Sequence, residues 1–423
     1  MEAWLARAAR MHGERTALQS PNGAHTYADL YARASEVAGG LLARGVAAGD
    51  RVALALPSEE LVVALHGCLL IGAVAVPIDL RLRTEERAPR LAGAAVVLDA
   101  LIAGSPPPPR PVQGSATATL MFTSGTTAGP KPVALTYDNW LWNALGSAVA
   151  LGLDPRERWL CPMPLAHVGG LSIQLRSVIY GTTVVLHERF DAGAALDALM
   201  DPDRAITLVS LVPTMLARLL DAGLRRPPTL RWALLGGGPI APALLARAAD
   251  AGVAVAPSYG MTEACSQIAT DGYPLLGTDL SLAADGEVLV RGRTVSAGAV
   301  DPDGWLHTGD LGALDGDGRL QIVGRRADTI VTGGENVAPA EVEAVLLEHP
   351  AVADAAVFAR ADVQWGETVI ARVVPAAGAA PEAAALRAHC AQRLAPFKVP
   401  KAFEIAERLP RGTTGKLLRR ELV

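Results

Sequence analysis

Residues 118–131 read ATLMFTSGTTAGPK, a short apolar run that stops at Thr123 and gives way to hydroxyls, glycines and a lysine. A run of that length, bounded by turn residues, reads as a buried strand. Directly behind it, the hydroxyls of Thr123, Ser124, Thr126 and Thr127 and the free backbone at Gly125 form a cradle for phosphate oxygens, with Lys131 as a point charge. The same residue types also build plain turns, so the segment alone is compatible with either. It is not a Walker A loop, which requires glycine before the lysine and Ser or Thr after it; here Pro130 and Pro132 flank Lys131.

Working outward, RVALAL, AVAVPI, AVVLDA, TTVVLHE, ITLVSLVP, RWALLGG and VAVAPSYG alternate with helical patterns such as DNWLWNALGSAVALGL and PALLARAADAG. That alternation predicts an α/β fold with largely parallel, helix-covered sheets. The apolar run 61–78 approaches the length of a membrane span, but His66, Gly67, Gly72 and Pro77 punctuate it. It reads as a buried helix followed by a strand, not an integral membrane segment. Residues 103–116, with four consecutive prolines, form an extended surface connector. After Gly286 short strands separated by Asp/Gly turns predict a small antiparallel region. Beyond Arg325 a mixed pattern of about a hundred residues reads as a separate α+β domain.

A chain of 423 residues exceeds the roughly 250–300 that one core supports, so more than one domain is required. The expected organisation is a large N-terminal domain over 1–324, a hinge at 325–328 and a small mobile domain over 329–423. A composition of 50% hydrophobic and 19% charged residues is that of a globular protein, and a net charge of −5 provides no field for nucleic acid. Cys68, Cys161, Cys265 and Cys390 are scattered, which fits a reducing cytoplasm and no zinc site. The first fifteen residues read as an amphipathic helix rather than a signal peptide. A homo-oligomer is compatible with all of this.

Four further segments carry polar chemistry at the ends of apolar runs. Ser258, Tyr259, Gly260, Met261, Thr262 and Glu263 set a hydroxyl beside a carboxylate, suited to phosphate and magnesium, although Thr262 and Glu263 could equally cap a helix. Gly236, Gly237, Gly238 and Pro239 allow a flat ring to approach the backbone. Asp310 in HTGDLG is expected just after a strand, where a carboxylate can hold a ribose or simply close a turn. Lys416 lies in the basic tail LPRGTTGKLLRREL, whose default reading is a solvated surface. The chain has only four lysines, Lys131, Lys398, Lys401 and Lys416, all in glycine- or proline-marked segments, which points to a required ammonium.

In order and spacing, TSGTT with Pro130 and Lys131, GGGP, YGMTE, HTGD, GRRADTIVTGGENVAPAEVE and GTTGK resemble the adenylate-forming superfamily of acyl-CoA synthetases, adenylation domains and luciferases. The stretch RWLCPMPLAHVGGLSIQLRSVIYGTTVVLHERFD and the following SYGMTEACSQIAT are most similar to the o-succinylbenzoate-CoA ligases of menaquinone synthesis. The resemblance implies ATP, Mg2+ and coenzyme A, and an acyl-adenylate made and then consumed in two half-reactions. It implies that the loop hydroxyls, Thr262 and Lys416 stabilise the reacting phosphate and that Glu263 holds magnesium. Gly238 and Tyr259 would flank adenine within a pocket of residues 236–239 and 258–261. Asp310 and Arg325 would hold the ribose, and Gly333, Gly334 and Glu335 would serve CoA. His167, Arg176 and Gln267 would line the acid pocket, where Arg176 suits a second carboxylate; read alone, Arg176 is equally a surface arginine on a helix. The chain departs from the family pattern at Ala128, Pro132 and Ala327. Alternatives that stay open are a synthetase for another carboxylic acid, a stand-alone adenylation enzyme and a non-catalytic nucleotide-binding homologue.

Overall fold

The computed structural model describes residues 1–123, 130–332, 335–362, 365–412 and 417–422. The chain divides into two compact units, the first comprising Met1–Gly237, Ala248–Leu280 and Val290–Leu306, the second Gly238–Arg247, Ser281–Leu289 and His307–Val423.

The first unit holds two sheets. One orders its strands Val96–Leu98, Arg51–Leu54, Val74–Pro77, Thr117–Thr123 and Lys131–Thr136, parallel except at the last. The other, of nine strands, runs Tyr273–Pro274, Ser266–Thr270, Val255–Met261, Trp232–Leu235, Leu208–Leu211, Arg158–Cys161, Thr183–Leu186, Thr16–Ser20 and Gly23–Thr26. Its central strands are parallel and its edges antiparallel, so the parallel reading holds for the middle only.

Helices Tyr27–Ala43, Ser58–Ile71, Tyr137–Leu151 and Val168–Tyr180 share one apolar core with strands of both sheets. Strand alternation divides the smaller sheet between two environments: Val52, Leu54 and Ala75 face this shared core, while Ala53, Val74 and Val76 face a separate cluster that includes Leu91. The apolar run at 61–78 is the helix Ser58–Ile71 and the strand Val74–Pro77, as expected, and every residue from Leu61 to Ile71 is buried. A helix apolar on all sides must be covered on all sides. At Gly67 the cover is very close, since a Cβ there would sit 2.9 Å from Val37 Cγ1 and 3.0 Å from the Ala34 carbonyl oxygen of helix Tyr27–Ala43. No described helix is long and apolar enough to cross a membrane.

Several strands escape the alternation pattern. The hairpin Thr16–Ser20 with Gly23–Thr26 has mixed polarity, and its one legible signal is the Asn22-Gly23 turn, where Gly23 has φ +138°. Arg158–Cys161, in the middle of the larger sheet, is only four residues long and begins with an arginine.

In the second unit Leu306–Leu314 and Leu320–Arg325 form an antiparallel hairpin in which Asp310 pairs with Arg325. Asp310 therefore lies inside a strand and not after one, and Gly309 beside it stands within the same strand at φ +68°. The following sheet orders Glu335–Val337, Ile330–Thr332, Gly366–Pro375 and Val352–Asp362, with Ala402–Ile405 also paired to Gly366–Pro375. Helices Pro339–Leu347 and Ala383–Ala391 close its core through Val342, Leu346, Leu386 and Cys390 against Val357 and Val369. This is the expected α+β arrangement.

Within the buried stretch of helix Ser58–Ile71 lies His66, whose burial pushes its pKa down to about 4. The folded state therefore holds His66 neutral while the unfolded chain protonates it near pH 6.5. Stability from this site is complete above that pH and is lost as pH falls toward 4, by an amount on the order of 3 kcal/mol. Thermal melting measured from pH 7 to pH 4 is expected to show a steeper decline in the parent than in His66→Leu.

Candidate nucleotide and acid site

Thr123 and Lys131 close the phosphate loop as directly opposed residues of an antiparallel pair. The loop residues Ser124, Gly125, Thr126 and Thr127 lie outside the described residues. The Lys131 side chain is exposed and makes no ion pair with a described residue.

Ser258, Tyr259, Gly260 and Met261 end the strand Val255–Met261, and Thr262 and Glu263 form a single 3-10 turn with Ala264. The helix-cap alternative for Thr262 and Glu263 is thereby corrected: no α-helix follows, because Cys265 and Ser266 adopt φ +56° and +88° and reverse the chain into the antiparallel strand Ser266–Thr270. That reversal runs so close that a Cβ on Gly260 would lie 1.6 Å from the Ser266 carbonyl oxygen. The glycine run follows the neighbouring strand Trp232–Leu235, and a Cβ on Gly236 would come within 2.9 Å of the Ser258 carbonyl oxygen. Gly236, Gly237 and the SYG backbone thus share one strand edge, with Gly238 and Pro239 next in sequence.

Glu263 is half-buried, its backbone carbonyl accepts a hydrogen bond from Ser296 N at 2.8 Å, and its carboxylate has no partner among the described residues. Among those residues no group of three or more His, Cys, Asp or Glu could hold a metal alone. Magnesium bound to phosphates needs only one or two protein carboxylates, so a single partly shielded glutamate at this edge fits it.

The residues expected to line the acid pocket fall into two groups. His167 is the N-cap residue of helix Val168–Tyr180. Its Nε2 lies 3.6 Å from Oδ2 of Asp79, which follows the strand Val74–Pro77. Loops after strands of both sheets therefore meet here, at the carboxyl ends where open α/β sheets place ligands. Burial favours the protonated form of Asp79, but hydrogen bonds from the Arg81 side chain at 2.8 and 2.6 Å outweigh it and hold the carboxyl well below its usual range. Asp79 and Arg81 were not among the sequence candidates, although a charged residue just past a parallel strand is a readable signal.

Arg176, farther along the same helix, is 1% exposed, which overturns the surface alternative. Its Nε and Nη2 donate to Asn143 Oδ1 at 3.0 and 2.5 Å, and its guanidinium lies 5.7 Å from the Trp159 ring. Asn143 Nδ2 in turn donates to the Gln267 backbone carbonyl at 3.5 Å. Gln267 is 2% exposed, its Nε2 donates to Thr270 Oγ1 at 2.9 Å, and its Oε1 has no partner among the described residues. The structure thus gathers Arg176 and Gln267 around Asn143, a residue that no motif marks.

In the second unit Arg325 Nε donates to Asp310 Oδ1 at 2.9 Å, so the two expected ribose residues are adjacent. Glu335 is exposed at the start of its strand, while Gly333, Gly334 and Lys416 lie outside the described residues. Two of the four lysines have structural partners instead. Lys398 is taken up by a structural ion pair with Glu341 at 2.7 Å, and Lys401 lies 5.7 Å from the Trp365 ring.

The pattern of AMP-binding enzymes matches residues 5–98 and 87–298, and that of the AMP-binding enzyme C-terminal domain matches residues 341–416. The chain belongs to the AMP-binding enzyme family. This family member is 38% identical over 474 residues to the 2-succinylbenzoate--CoA ligase of Bacillus subtilis (strain 168), covering 99% of this chain and 97% of the relative. A solved structure of the B. subtilis o-succinylbenzoate CoA synthetase with its acyl-adenylate intermediate is similar at a TM-score of 0.93 and 38% identity, covering 100% of this chain and 98% of that one. Another, with ATP and magnesium ion, gives a TM-score of 0.92 at 38% identity, covering 100% and 99%. The AMP-binding enzyme is thus an AMP-forming acid-CoA ligase with the adenylate-forming fold.

The contact at Gly260 is unforgiving, because its neighbour is backbone. Gly260→Ala is expected to displace Thr262 and Glu263 by about an ångström and lower acid-dependent pyrophosphate release by roughly a hundredfold. Steady-state assays read the loss, and near-parent turnover would contradict this placement.

Proposed function

We propose that the enzyme converts 2-succinylbenzoate, ATP and CoA to 2-succinylbenzoyl-CoA, AMP and pyrophosphate, in the cytoplasm, as a step of menaquinone synthesis. The observation that carries the choice of acid is Arg176, a buried guanidinium with no carboxylate partner among the described residues, on a chain similar end to end to ligases of that acid. A succinylbenzoate has two carboxylates; one reacts, and the other can pair with a fork-shaped guanidinium.

In the first half-reaction a carboxylate oxygen of the acid attacks the α-phosphorus of ATP, and the bond to the β-phosphate breaks, releasing pyrophosphate. The hydroxyls of Thr123, Ser124, Thr126 and Thr127, together with Thr262, Lys131 and Lys416, bind the phosphates and oppose the charge that develops there. Magnesium, held by Glu263, neutralises phosphate charge when bound. The backbone of residues 236–239 and 258–261 receives the adenine, and Asp310 with Arg325 binds the ribose hydroxyls. His167, with Asp79 behind it, favours an anionic carboxylate at the mouth of the acid site.

In the second half-reaction the CoA sulfur attacks the acyl carbon, the bond to the AMP oxygen breaks, and the thiol proton is lost. A hinge at residues 325–328, built as the single 3-10 turn Arg326–Asp328, lets the domain 329–423 withdraw Lys416 and bring Gly333, Gly334 and Glu335 to the adenylate. Ala327 does not impair this, since a hinge needs backbone freedom more than a particular side chain.

Lys416→Ala is expected to slow adenylate formation by roughly a hundredfold or more while leaving thioester formation from supplied acyl-adenylate near the parent rate. Single-turnover measurements of the two half-reactions decide it, and equal losses in both would remove Lys416 from this role.

A further inference from the structure

Several arginines of the chain pair with carboxylates: Arg231 with Glu157, Arg325 with Asp310 and Arg419 with Glu343. Arg176 is buried more deeply than any of these, and no carboxylate partners it among the described residues. The elements around it supply the neutral amide of Asn143 from helix Tyr137–Leu151, the Trp159 ring, and the buried Tyr180 and Cys265. Tyr180 and Cys265 are both pushed toward their neutral forms by burial, so neither supplies an anion.

A buried charge without a counter-charge is costly, and removing the cost would take one atom. Aspartate is nearly isosteric with asparagine, and its Oδ1 would accept the same two hydrogen bonds from Nε and Nη2. The neutral amide orients the guanidinium through two hydrogen bonds but leaves its charge unbalanced. Asn143 is itself oriented by its bond to the Gln267 carbonyl.

We infer that Asn143 is a specificity-determining positioning residue, which aims Arg176 without neutralising it and so reserves the guanidinium charge for the second carboxylate of a dicarboxylic acid. This rests on the reading of Arg176 as the anchor of 2-succinylbenzoate.

The test uses the full-length enzyme with 2-succinylbenzoate and with 3-benzoylpropionate, which lacks the benzoate carboxylate. Asn143→Asp is expected to raise KM for 2-succinylbenzoate about tenfold or more, the worth of a charged hydrogen-bonded contact. Its kcat, its KM for ATP and its kinetics with 3-benzoylpropionate are expected to stay near the parent values. A purely structural role would not produce that split. Cys265→Asp supplies the same negative charge from another side if Asn143→Asp fails to fold. Cys265 sits at φ 56°, ψ 45°, a left-handed conformation that aspartate tolerates. It should erode the same preference. Arg176→Leu separates the two layers of the argument. If it abolishes the preference for the diacid while folded Asn143→Asp or Cys265→Asp retains it, the role of Asn143 is overturned and the anchor stands. If Arg176→Leu keeps the preference, the anchor is wrong and this inference falls with it.

Discussion

The helix Ser58–Ile71 has no face it can show to water, and the first unit is arranged around that constraint. Its side chains from Leu61 to Ile71 are buried, and its nearest neighbour, helix Tyr27–Ala43, approaches within the space that any side chain at Gly67 would occupy. Covering such a helix requires protein on every side, which strands of both sheets and three other helices supply in one continuous core. With that core shared, the strand Val74–Pro77 of one sheet and the strand Arg158–Cys161 of the other deliver their following loops to the same place, where Asp79 meets His167.

The same core explains how a charged residue can be both buried and useful. Arg176 is carried inward by a helix whose other residues are largely apolar, and it is held there by Asn143 rather than by a carboxylate. A guanidinium in this setting is desolvated and oriented before any ligand arrives, so the ordering cost of binding is reduced. The candidate nucleotide edge is built differently, from backbone: Gly236 and Gly260 stand where strands pass too closely for any side chain, and the carboxylate of Glu263 has no partner among the described residues.

Much of this was legible in the sequence, for identifiable reasons. Strands such as Val74–Pro77 and Trp232–Leu235 are apolar runs between turn residues, and the buried helix announces itself by lacking a polar face. The α+β order beyond residue 325 is carried by similarly clear runs. Short strands with polar ends were not readable: Arg158–Cys161 opens on a charge, and the first hairpin offers only Asn22-Gly23. Asp310 looked like a turn residue because HTGD resembles a strand end, yet hairpin pairing with Arg325 keeps it inside the strand. Motifs supplied most of the candidate site residues because they are contiguous. Asn143 and Asp79 were missed because their roles depend on side chains from distant segments, Arg176 and His167, that no local pattern connects to them.

The central claim is that this chain activates 2-succinylbenzoate by adenylation before CoA takes part. The most direct measurement is pyrophosphate release from ATP and magnesium across a panel of acids, with CoA omitted. The account predicts a stoichiometric burst of pyrophosphate with 2-succinylbenzoate, little with monocarboxylic acids, and turnover only when CoA is added. An absence of acid-dependent pyrophosphate, or a burst equally large with acids lacking the second carboxylate, would contradict it.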